Sequence, residues 1–347
     1  MTKYINRKTL QSLSLIAVVT MFTSSCTKLP EARENIDIYS EIAQVVYQPT
    51  MGRNTVIPSA FSQQGTSYPA TFKILNIRRR NGDDAPELRT VLPVKVWKAA
   101  YTGFEKSIEE IENKREIQNR PVFEIGKHSG DLFMWSTANS NFIRSLPDSG
   151  YLFDIEVSNS GGRRYFQNRV LQPFREVPYV PSNINSYTGM QNSPYVSPNG
   201  GMYMVADTSI AGVGSVNLSN GDVNISFNKI VGSNQNKLTF RFLNNRNEFI
   251  NPDKFNDTDW KNLIHGFNMV KNAEGVTYDV AYPIPLAAIN TVYTTGGGTL
   301  AKTVFRYQRL GFGNRIENNY LGLNFAIYEP GNWEIIIRFN RYNPKFD

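Results

Sequence analysis

The chain of 347 residues contains one cysteine, Cys26, and two histidines, His128 and His265. A single cysteine excludes an internal disulfide framework and cysteine-rich zinc modules, and two histidines so far apart make a metal role unexpected for either. Only 19% of the residues are charged and 40% are hydrophobic. This balance excludes both a disordered chain and a bundle of membrane helices, so the composition indicates a folded globular protein.

Several motifs with known chemistry are missing as well. The sequence has no Walker-type phosphate loop, no RNP-like run and no G-x-S-x-G nucleophile elbow, so we expect no cofactor and no nucleic-acid partner. No pair of carboxylates stands out, and no (β/α)₈ pattern is present. The sequence therefore predicts a protein without catalytic residues; a glycoside hydrolase, which needs two carboxylates facing across a cleft, is the alternative.

The N-terminus has the pattern of an export signal. The basic residues Lys3, Arg7 and Lys8 precede an apolar run, 13–22, that is too short to span a membrane as a helix. Because no acidic residue accompanies these three, removal of the signal lowers the formal net charge from +7 by three, to +4. The basic character of the full chain is therefore weak support for a role with nucleic acid.

The apolar run ends in small residues directly before the only cysteine. Thr23 and Ser24-Ser25 precede Cys26, which resembles the lipobox of bacterial lipoproteins, with Thr23 in place of the frequent leucine. The sequence predicts a lipoprotein signal peptide over 1–25, a diacylglycerol on Cys26 and a lipidated tether over 26–36. An ordinary secretory signal with an incidental cysteine is the alternative.

Beyond the tether, apolar residues recur with a period of two. This alternation is typical of half-buried strands in antiparallel sheets, and it covers the segments 92–97, 151–158, 223–227, 238–242 and 333–340. Asn220-Gly221 between two alternating runs predicts a hairpin, and Asn81-Gly82 and Gly161-Gly162 predict two further turns. The fold class is therefore predicted to be mainly β.

Two stretches have helical spacing instead. The segment 104–117 places apolar residues three apart among Glu and Lys, and predicts a short surface helix. Asp257 or Thr258 is the predicted N-cap of a second helix that ends at Gly266. We thus expect one or two short helices in an otherwise β chain.

Prolines suggest where the chain divides. Five of them lie between residues 173 and 198, and proline cannot donate a hydrogen bond in a sheet. The sequence predicts an immunoglobulin-like β-sandwich over 37–175, a proline-rich linker over 176–200, and a second antiparallel domain over 201–347, either a sandwich or jelly-roll-like.

Four segments resemble a family of Bacteroidota outer-membrane lipoproteins of unassigned function, often encoded beside SusC/SusD-like glycan importers. They are SYPATFKI (67–74), DSGYLFDIEVSNSGG (148–162), DVAYPIP (279–285) and LGLNFAIYEPGNWE (321–334). The resemblance implies an immunoglobulin-like first domain, a second β domain and a place in a glycan-capture locus. It implies no catalytic residues.

An acidic cluster is a weak candidate for a metal site. Asp253, Asp257 and Asp259 lie close together with Asn251 and Asn256, and clustered oxygens can bind calcium. The spacing is not that of an EF-hand, and helix capping is the simpler interpretation of Asp257. We predict no metal on this basis.

Aromatic and arginine residues make better candidates for sugar binding, because sugar rings stack on flat aromatic surfaces and their hydroxyls bond to planar donors. The candidate ligand-binding residues are Trp260, Arg306, Tyr307, Arg309, Phe312 and Arg315. For the segment 306–315, however, we favour a strand with a bulge, with its arginines solvated and Phe312 in the core.

Other prominent residues have simpler interpretations. Trp97 and Trp135 lie in strand-like runs and are expected to be partly buried. Arg78-Arg79-Arg80 precedes a turn and predicts a charged hairpin end, with a site for acidic polysaccharide or lipid headgroups as the alternative.

Two functional classes follow. The first is a non-catalytic lipoprotein that binds polysaccharide or supports a SusC/SusD-like complex. It is lipid-anchored in the outer membrane and expected on the cell surface, with the periplasmic face as the alternative. The second is a structural or adhesive subunit like the fimbrillins, which should exchange a strand between protomers. The C-terminal run 333–339 is the candidate for that strand.

Overall fold

The computed structural model describes residues 34–209 and 216–347. The predicted signal peptide, Cys26 and residues 27–33 lie outside the described residues. Within the described part, no helix has both the length and the apolar character needed to cross a membrane. The described chain is mainly β, which confirms the predicted fold class.

The first half contains a four-stranded sheet in the order β2–β11–β10–β5 and a three-stranded sheet in the order β3–β9–β8. Strand β2 is parallel to β11, and the other pairs are antiparallel. β1 pairs with β4, and β6 with β7. The elements are β1 (Glu41–Ile42), β2 (Val46–Tyr47), β3 (Thr55–Ile57), β4 (Phe61–Ser62), β5 (Thr71–Arg79), a 3₁₀ turn (Pro86–Arg89), β6 (Val91–Trp97), α1 (Ile108–Glu112), β7 (Arg115–Pro121), β8 (Phe123–Ile125), β9 (Leu132–Met134), β10 (Tyr151–Asn159) and β11 (Gly162–Leu171).

These two sheets share one hydrophobic core. Strand β10 contributes Tyr151, Phe153 and Val157, all buried, and the ring of Phe123 on β8 meets Phe153 edge-on with centroids 5.2 Å apart. Residues from facing sheets that interlock in this way are the defining feature of a β-sandwich.

The second half is built around a five-stranded sheet, β15–β21–β16–β18–β17, in which β16 and β21 are parallel. A second sheet places β20 beside β19, β12 and β13, and β14 pairs with β22. The elements are β12 (Tyr179–Val180), β13 (Met202–Tyr203), β14 (Ala206–Asp207), β15 (Val223–Lys229), β16 (Lys237–Leu243), β17 (Phe267–Asn272), β18 (Gly275–Asp279), β19 (Ala301–Leu310), β20 (Ile316–Ile327), β21 (Asn332–Phe339) and β22 (Asn343–Pro344), with 3₁₀ turns at Asn220–Asp222, Pro252–Lys254, Trp260–Asn262 and Phe312–Asn314.

Aromatic rings fill the core of the second half. Phe240 on β16 meets Phe305 on β19 edge-on at 5.4 Å, and Phe325 on β20 at 6.1 Å. All three rings are completely buried. Edge-to-face contacts of this kind add stability beyond the burial of apolar area, so this core fixes β19 and β20 firmly on the five-stranded sheet.

Two of the three predicted turns are confirmed. The turn at Gly161-Gly162 joins β10 to β11, and the chain turns at Asn81-Gly82 after β5. The predicted hairpin at Asn220-Gly221 is wrong, because β15 pairs with β21 and not with the preceding segment. Asp222 instead accepts hydrogen bonds from the backbone N–H and the hydroxyl of Ser219, which closes a 3₁₀ turn.

Both predicted helices are shorter than expected. The helix predicted over 104–117 covers only α1, which is capped by Ser107 and followed by β7. The second is a 3₁₀ turn whose cap is Asp259, so the predicted caps Asp257 and Thr258 are wrong. Thr258 is engaged elsewhere, because its hydroxyl bonds to the backbone of β19.

The segment 176–200, predicted as a linker, packs on the second half. It contains β12, which pairs with β20, and the ring of Tyr179 stacks on Phe227 with centroids 4.5 Å apart. Near the end of the segment, Gly200 donates to the carbonyl of Gly322 at 3.0 Å.

The loop around α1 makes contacts with the second half. Ile111 packs with Ala281 and Leu286, and all three are buried. The Arg115 guanidinium donates to the carbonyl oxygen of Tyr282 at 2.7 Å. A buried arginine bonded to a backbone carbonyl is costly to remove, so these contacts connect the two cores.

Candidate functional site

The segment proposed for sugar binding forms an antiparallel hairpin. Strand β19 pairs along its whole length with β20, from Ala301 opposite Phe325 to Leu310 opposite Ile316, and the turn Phe312–Asn314 joins them. Side chains alternate between the two faces of each strand. The candidate residues are therefore divided between the core and the solvent.

Three of the candidates point inward. Trp260 and Tyr307 are 7% and 1% exposed and belong to the aromatic core. Burial raises the pKa of the Tyr307 hydroxyl. Arg309 forms an ion pair with Glu317 at 2.6 Å with only 8% of its side chain exposed. None of these three presents a face to a ligand in solution.

The other candidates lie on the surface. Arg306 and Arg315 are exposed, and Phe312 at the hairpin tip is 99% exposed. The favoured interpretation of this segment as a strand is confirmed for residues 306–310, but its placement of Phe312 in the core is wrong, because the turn that carries Phe312 extends beyond the core.

The solvent side of β19, β20 and β13, which we call the outer face, carries a row of three residues. Tyr320 on β20 lies directly opposite Tyr203 on β13 and directly opposite Arg306 on β19. Directly opposite residues share a face of the sheet, with Cβ atoms roughly 5 Å apart. All three side chains are exposed; Tyr203 and Tyr320 are 46% and 39% exposed.

Amide side chains continue the outer face towards the hairpin tip. Gln308 lies opposite Asn318, both exposed, two residues along from the row. Each amide offers two donors and one acceptor oxygen. Two phenol rings, a guanidinium and two amides thus lie side by side on three strands.

Close backbone contacts hold this face in place. Residues 256–258 bond to the edge of β19 that does not pair with β20. There the backbone N–H of Arg306 donates to the Thr258 hydroxyl at 2.6 Å, and the Asn256 side-chain amide donates to the carbonyl oxygen of Gln308 at 3.0 Å. On the β13 side, a Cβ at Gly322 would lie 2.2 Å from the carbonyl oxygen of Gly200. A side chain at position 322 would therefore push β13 and Tyr203 away from β20.

The underside of the face is the aromatic core. Phe305, Leu321 and Leu323, which alternate with the outward residues, are at most 1% exposed. A binding surface whose supporting residues are packed in this way keeps its geometry without a ligand.

The acidic cluster is not arranged as a metal site. Asp253 pairs with Lys271 at 2.5 Å, and Asp259 accepts a hydrogen bond from the amide of Asn262. Among residues 34–209 and 216–347, no group of three or more His, Cys, Asp or Glu side chains has a geometry that could hold a metal ion.

The histidines have separate surroundings. His128 lies 3.3 Å from the carbonyl oxygen of Ala70. His265 contacts the first half: Nε2 lies 2.8 Å from the carbonyl oxygen of Glu105, Nδ1 lies 2.5 Å from the Tyr101 hydroxyl, and its ring stacks on Tyr293.

The arginine triplet is occupied by neighbours within the protein. Arg78 reaches Asp154 at 3.4 Å, Arg79 pairs with Glu87 at 3.2 Å, and Arg80 donates to the carbonyl of Ser149. Trp97 and Trp135 are partly buried, as predicted. Neither region offers a surface like the outer face.

Sequence reasoning missed both tyrosines of the row. Tyr203 lies in a strand of two residues, which is too short for any alternation to be visible. The start of β20 gave no clear signal for Tyr320 either, because Ile316 is exposed while the polar Asn319 is buried, so apolar residues do not alternate there. Recognising β20 as the partner of β19 would have placed Tyr320 beside Arg306.

These features define a mainly β protein with two sandwich-like cores and a flat aromatic and cationic sheet face. The chain belongs to the family described as "Domain of unknown function (DUF5007)", whose model matches residues 61–347. No curated protein and no solved structure matches the chain.

Proposed function

We propose that this protein is a non-catalytic lipoprotein of the cell envelope that binds polysaccharide on the outer face of β19, β20 and β13. The observation that carries the proposal is the row of Tyr203, Tyr320 and Arg306 in direct register on three neighbouring strands. Flat aromatic rings contact the apolar faces of sugars, and planar donors bond to their hydroxyls.

The shape and chemistry of this face support binding over hydrolysis. A sheet face is open along its length, so it suits an extended chain molecule. Glycoside hydrolysis needs two carboxylates across a cleft, and the outward residues of β19 and β20 include no acid.

The lipid anchor and the SusC/SusD-like partner are part of the proposal. The support is the small-residue segment before Cys26 and the resemblance to lipoproteins of glycan-utilisation loci. In this arrangement Cys26 holds the protein on the outer membrane, on the cell surface, where it delivers glycan to an importer.

The fimbrillin-like alternative has less support. Its candidate exchange strand, β21, lies between β15 and β16 in the middle of the five-stranded sheet. Ile335, Ile337 and Phe339 are completely buried. Donating this strand to another protomer would expose the core of its own domain, so we favour the glycan-binding function.

Replacing Cys26 with serine tests the anchor. Serine has no thiol to accept a diacylglycerol, so we expect the C26S protein to lose incorporation of a labelled fatty acid and to leave the membrane fraction. Thr23→Ala, which keeps a small residue before the cysteine, is the matched control and should retain the label. Equal labelling of C26S and wild type would contradict lipidation at this position.

Replacing the two tyrosines tests the binding face. Protein spanning Thr27 to Asp347 is first screened on polysaccharide affinity gels, and then titrated calorimetrically with a retained glycan. We expect Tyr320→Ala and Tyr203→Ala each to weaken binding about fivefold or more, since each removes a stacking surface worth about 1 kcal/mol or more.

The control for these variants is Tyr165→Ala. Tyr165 lies on β11 in the first half and is 48% exposed, much like Tyr203. It should bind like wild type. Retardation by no glycan, or equal losses in all three variants, would overturn the proposed site.

A further inference from the structure

The outer face carries positive charge and no negative charge. The outward residues of β19 include Lys302 and Arg306, both exposed, and those of β20 are Ile316, Asn318, Tyr320, Gly322 and Asn324. Arg315 adds a third exposed cation at the hairpin turn. Within the described residues, none of these three cations has a carboxylate oxygen within 4.0 Å, whereas Arg309 of the same hairpin has one.

Arg309 provides a contrast within the same strand. Its side chain points to the other face, where Glu317 pairs with it at 2.6 Å. The hairpin thus neutralises the arginine that faces inward and leaves Arg306, three residues earlier, without an acidic partner. Because an arginine readily forms forked hydrogen bonds with planar anions, Arg306 is available to an anion from outside the protein.

We propose that the ligand of the outer face is an acidic polysaccharide, one whose sugars carry carboxylate or sulfate groups. This inference rests on the proposed glycan-binding function and names its substrate class. The guanidinium of Arg306 binds the anionic group, while Tyr320 and Tyr203 contact the sugar rings beside it. Lys302 lies four residues from Arg306 on the same face, about 13 Å along the strand, and contacts a second anionic group of the same polymer.

Matched pairs of polymers separate this inference from the proposed function itself. The probes are polygalacturonic acid with its fully methyl-esterified form, and heparin with its chemically desulfated form, each titrated into the protein in 20 mM and 200 mM salt. We expect at least one acidic member to bind ten or more times more tightly than its neutral or desulfated partner, with affinity falling at the higher salt. The two pairs distinguish carboxylate from sulfate recognition.

Charge variants then locate the effect. Arg306→Gln should weaken binding of the acidic polymer at least about tenfold and remove most of its preference over the neutral form. Arg306→Lys should retain part of the affinity, because it keeps the charge and loses the fork. Arg80→Gln, at the exposed end of a hairpin in the first half, is the control and should bind like wild type.

The possible outcomes separate the acidic ligand, the location of its site and glycan binding itself. Equal affinity for acidic and neutral polymers, with both weakened by Tyr320→Ala, would overturn the acidic ligand and leave glycan binding standing. If Arg306→Gln keeps the full preference for acidic polymers, the outer face is not where their anionic groups bind. Binding of no polymer at all would overturn both the inference and the proposed function.

Discussion

Replacing Phe240 with alanine should lower the free energy of unfolding by about 4 kcal/mol, the usual cost of removing a fully buried phenyl ring. The ring is completely buried. It contacts Phe305 and Phe325, which lie on the underside of the outer face, and Tyr278 on β18, at centroid distances of 5.4, 6.1 and 6.3 Å. Its loss leaves a cavity between the two sheets of the second half.

Urea unfolding of wild type and variant, followed by tryptophan fluorescence and circular dichroism, measures this change. Phe249→Ala is the matched control, since it removes the same phenyl ring from a position that is 50% exposed. It should cost less than about 1 kcal/mol. If Phe240→Ala fails to fold, Phe240→Leu should still unfold at a lower urea concentration than wild type. Similar losses for Phe240→Ala and Phe249→Ala would contradict the central place of Phe240.

The strands that carry this core were largely predictable from the sequence. In β15, β16 and β21 apolar residues alternate over seven or eight positions, and the buried residues, such as Ile335 and Ile337, are the ones that the alternation selects. The pairing of those strands was not predictable. The parallel contact between β16 and β21 joins residues 95 positions apart in the sequence, and no local pattern encodes a partner at that distance.

The predictions of the two helices and of the hairpin at Asn220-Gly221 failed for a different reason. The segment 104–117 has helical spacing, yet only α1 is helical, because Arg115 is drawn into β7 and bonds to Tyr282 of the second half. Asn220-Gly221 has strong hairpin propensity, yet the strand that follows it pairs with β21. In both places a contact with a distant segment outweighs a local preference.

The candidate site shows the same limit. The sequence singled out the 306–315 segment but treated Arg306 and Tyr307 alike as candidates; only the structure places Arg306 outside and Tyr307 inside. The sequence could not show that Tyr203, more than a hundred residues earlier, lies in register with Tyr320. A candidate face assembled from three strands is visible only after the strands are paired.

Replacing Glu105 with glutamine should destabilise the chain by about 2–3 kcal/mol at pH 7 and change how its stability depends on pH. The Glu105 side chain is completely buried. Its carboxylate accepts hydrogen bonds from the backbone N–H groups of Thr102 and Gly103, at 2.9 Å each, and pairs with Lys114 at 2.5 Å. Glutamine has similar size but leaves the Lys114 ammonium without a counter-charge, and breaking a buried pair is expensive.

The sign of the pH effect follows from the pKa of this carboxyl. Burial by itself raises the pKa of Glu105, but the ion pair with Lys114 and the hydrogen bonds from Thr102 outweigh it and lower the pKa to about 2. In the unfolded chain the pKa of a glutamate is about 4.3. The folded state is therefore favoured above about pH 5, and this contribution is lost as the pH falls from about 4.3 through 2, because the unfolded chain binds the proton first.

Urea unfolding of wild type and E105Q at pH 7, 4 and 2.5 tests this account. The difference between the two proteins should be largest at pH 7 and should mostly vanish at pH 2.5, where the wild-type carboxyl gains its proton on unfolding. Glu109→Gln removes an exposed acid from α1 and should track wild type at every pH. Since the carbonyl of Glu105 also meets His265, we expect E105Q to loosen the contact between the halves, seen as faster protease cleavage near residue 103. A pH-independent difference would show that Glu105 acts through packing and not through its charge.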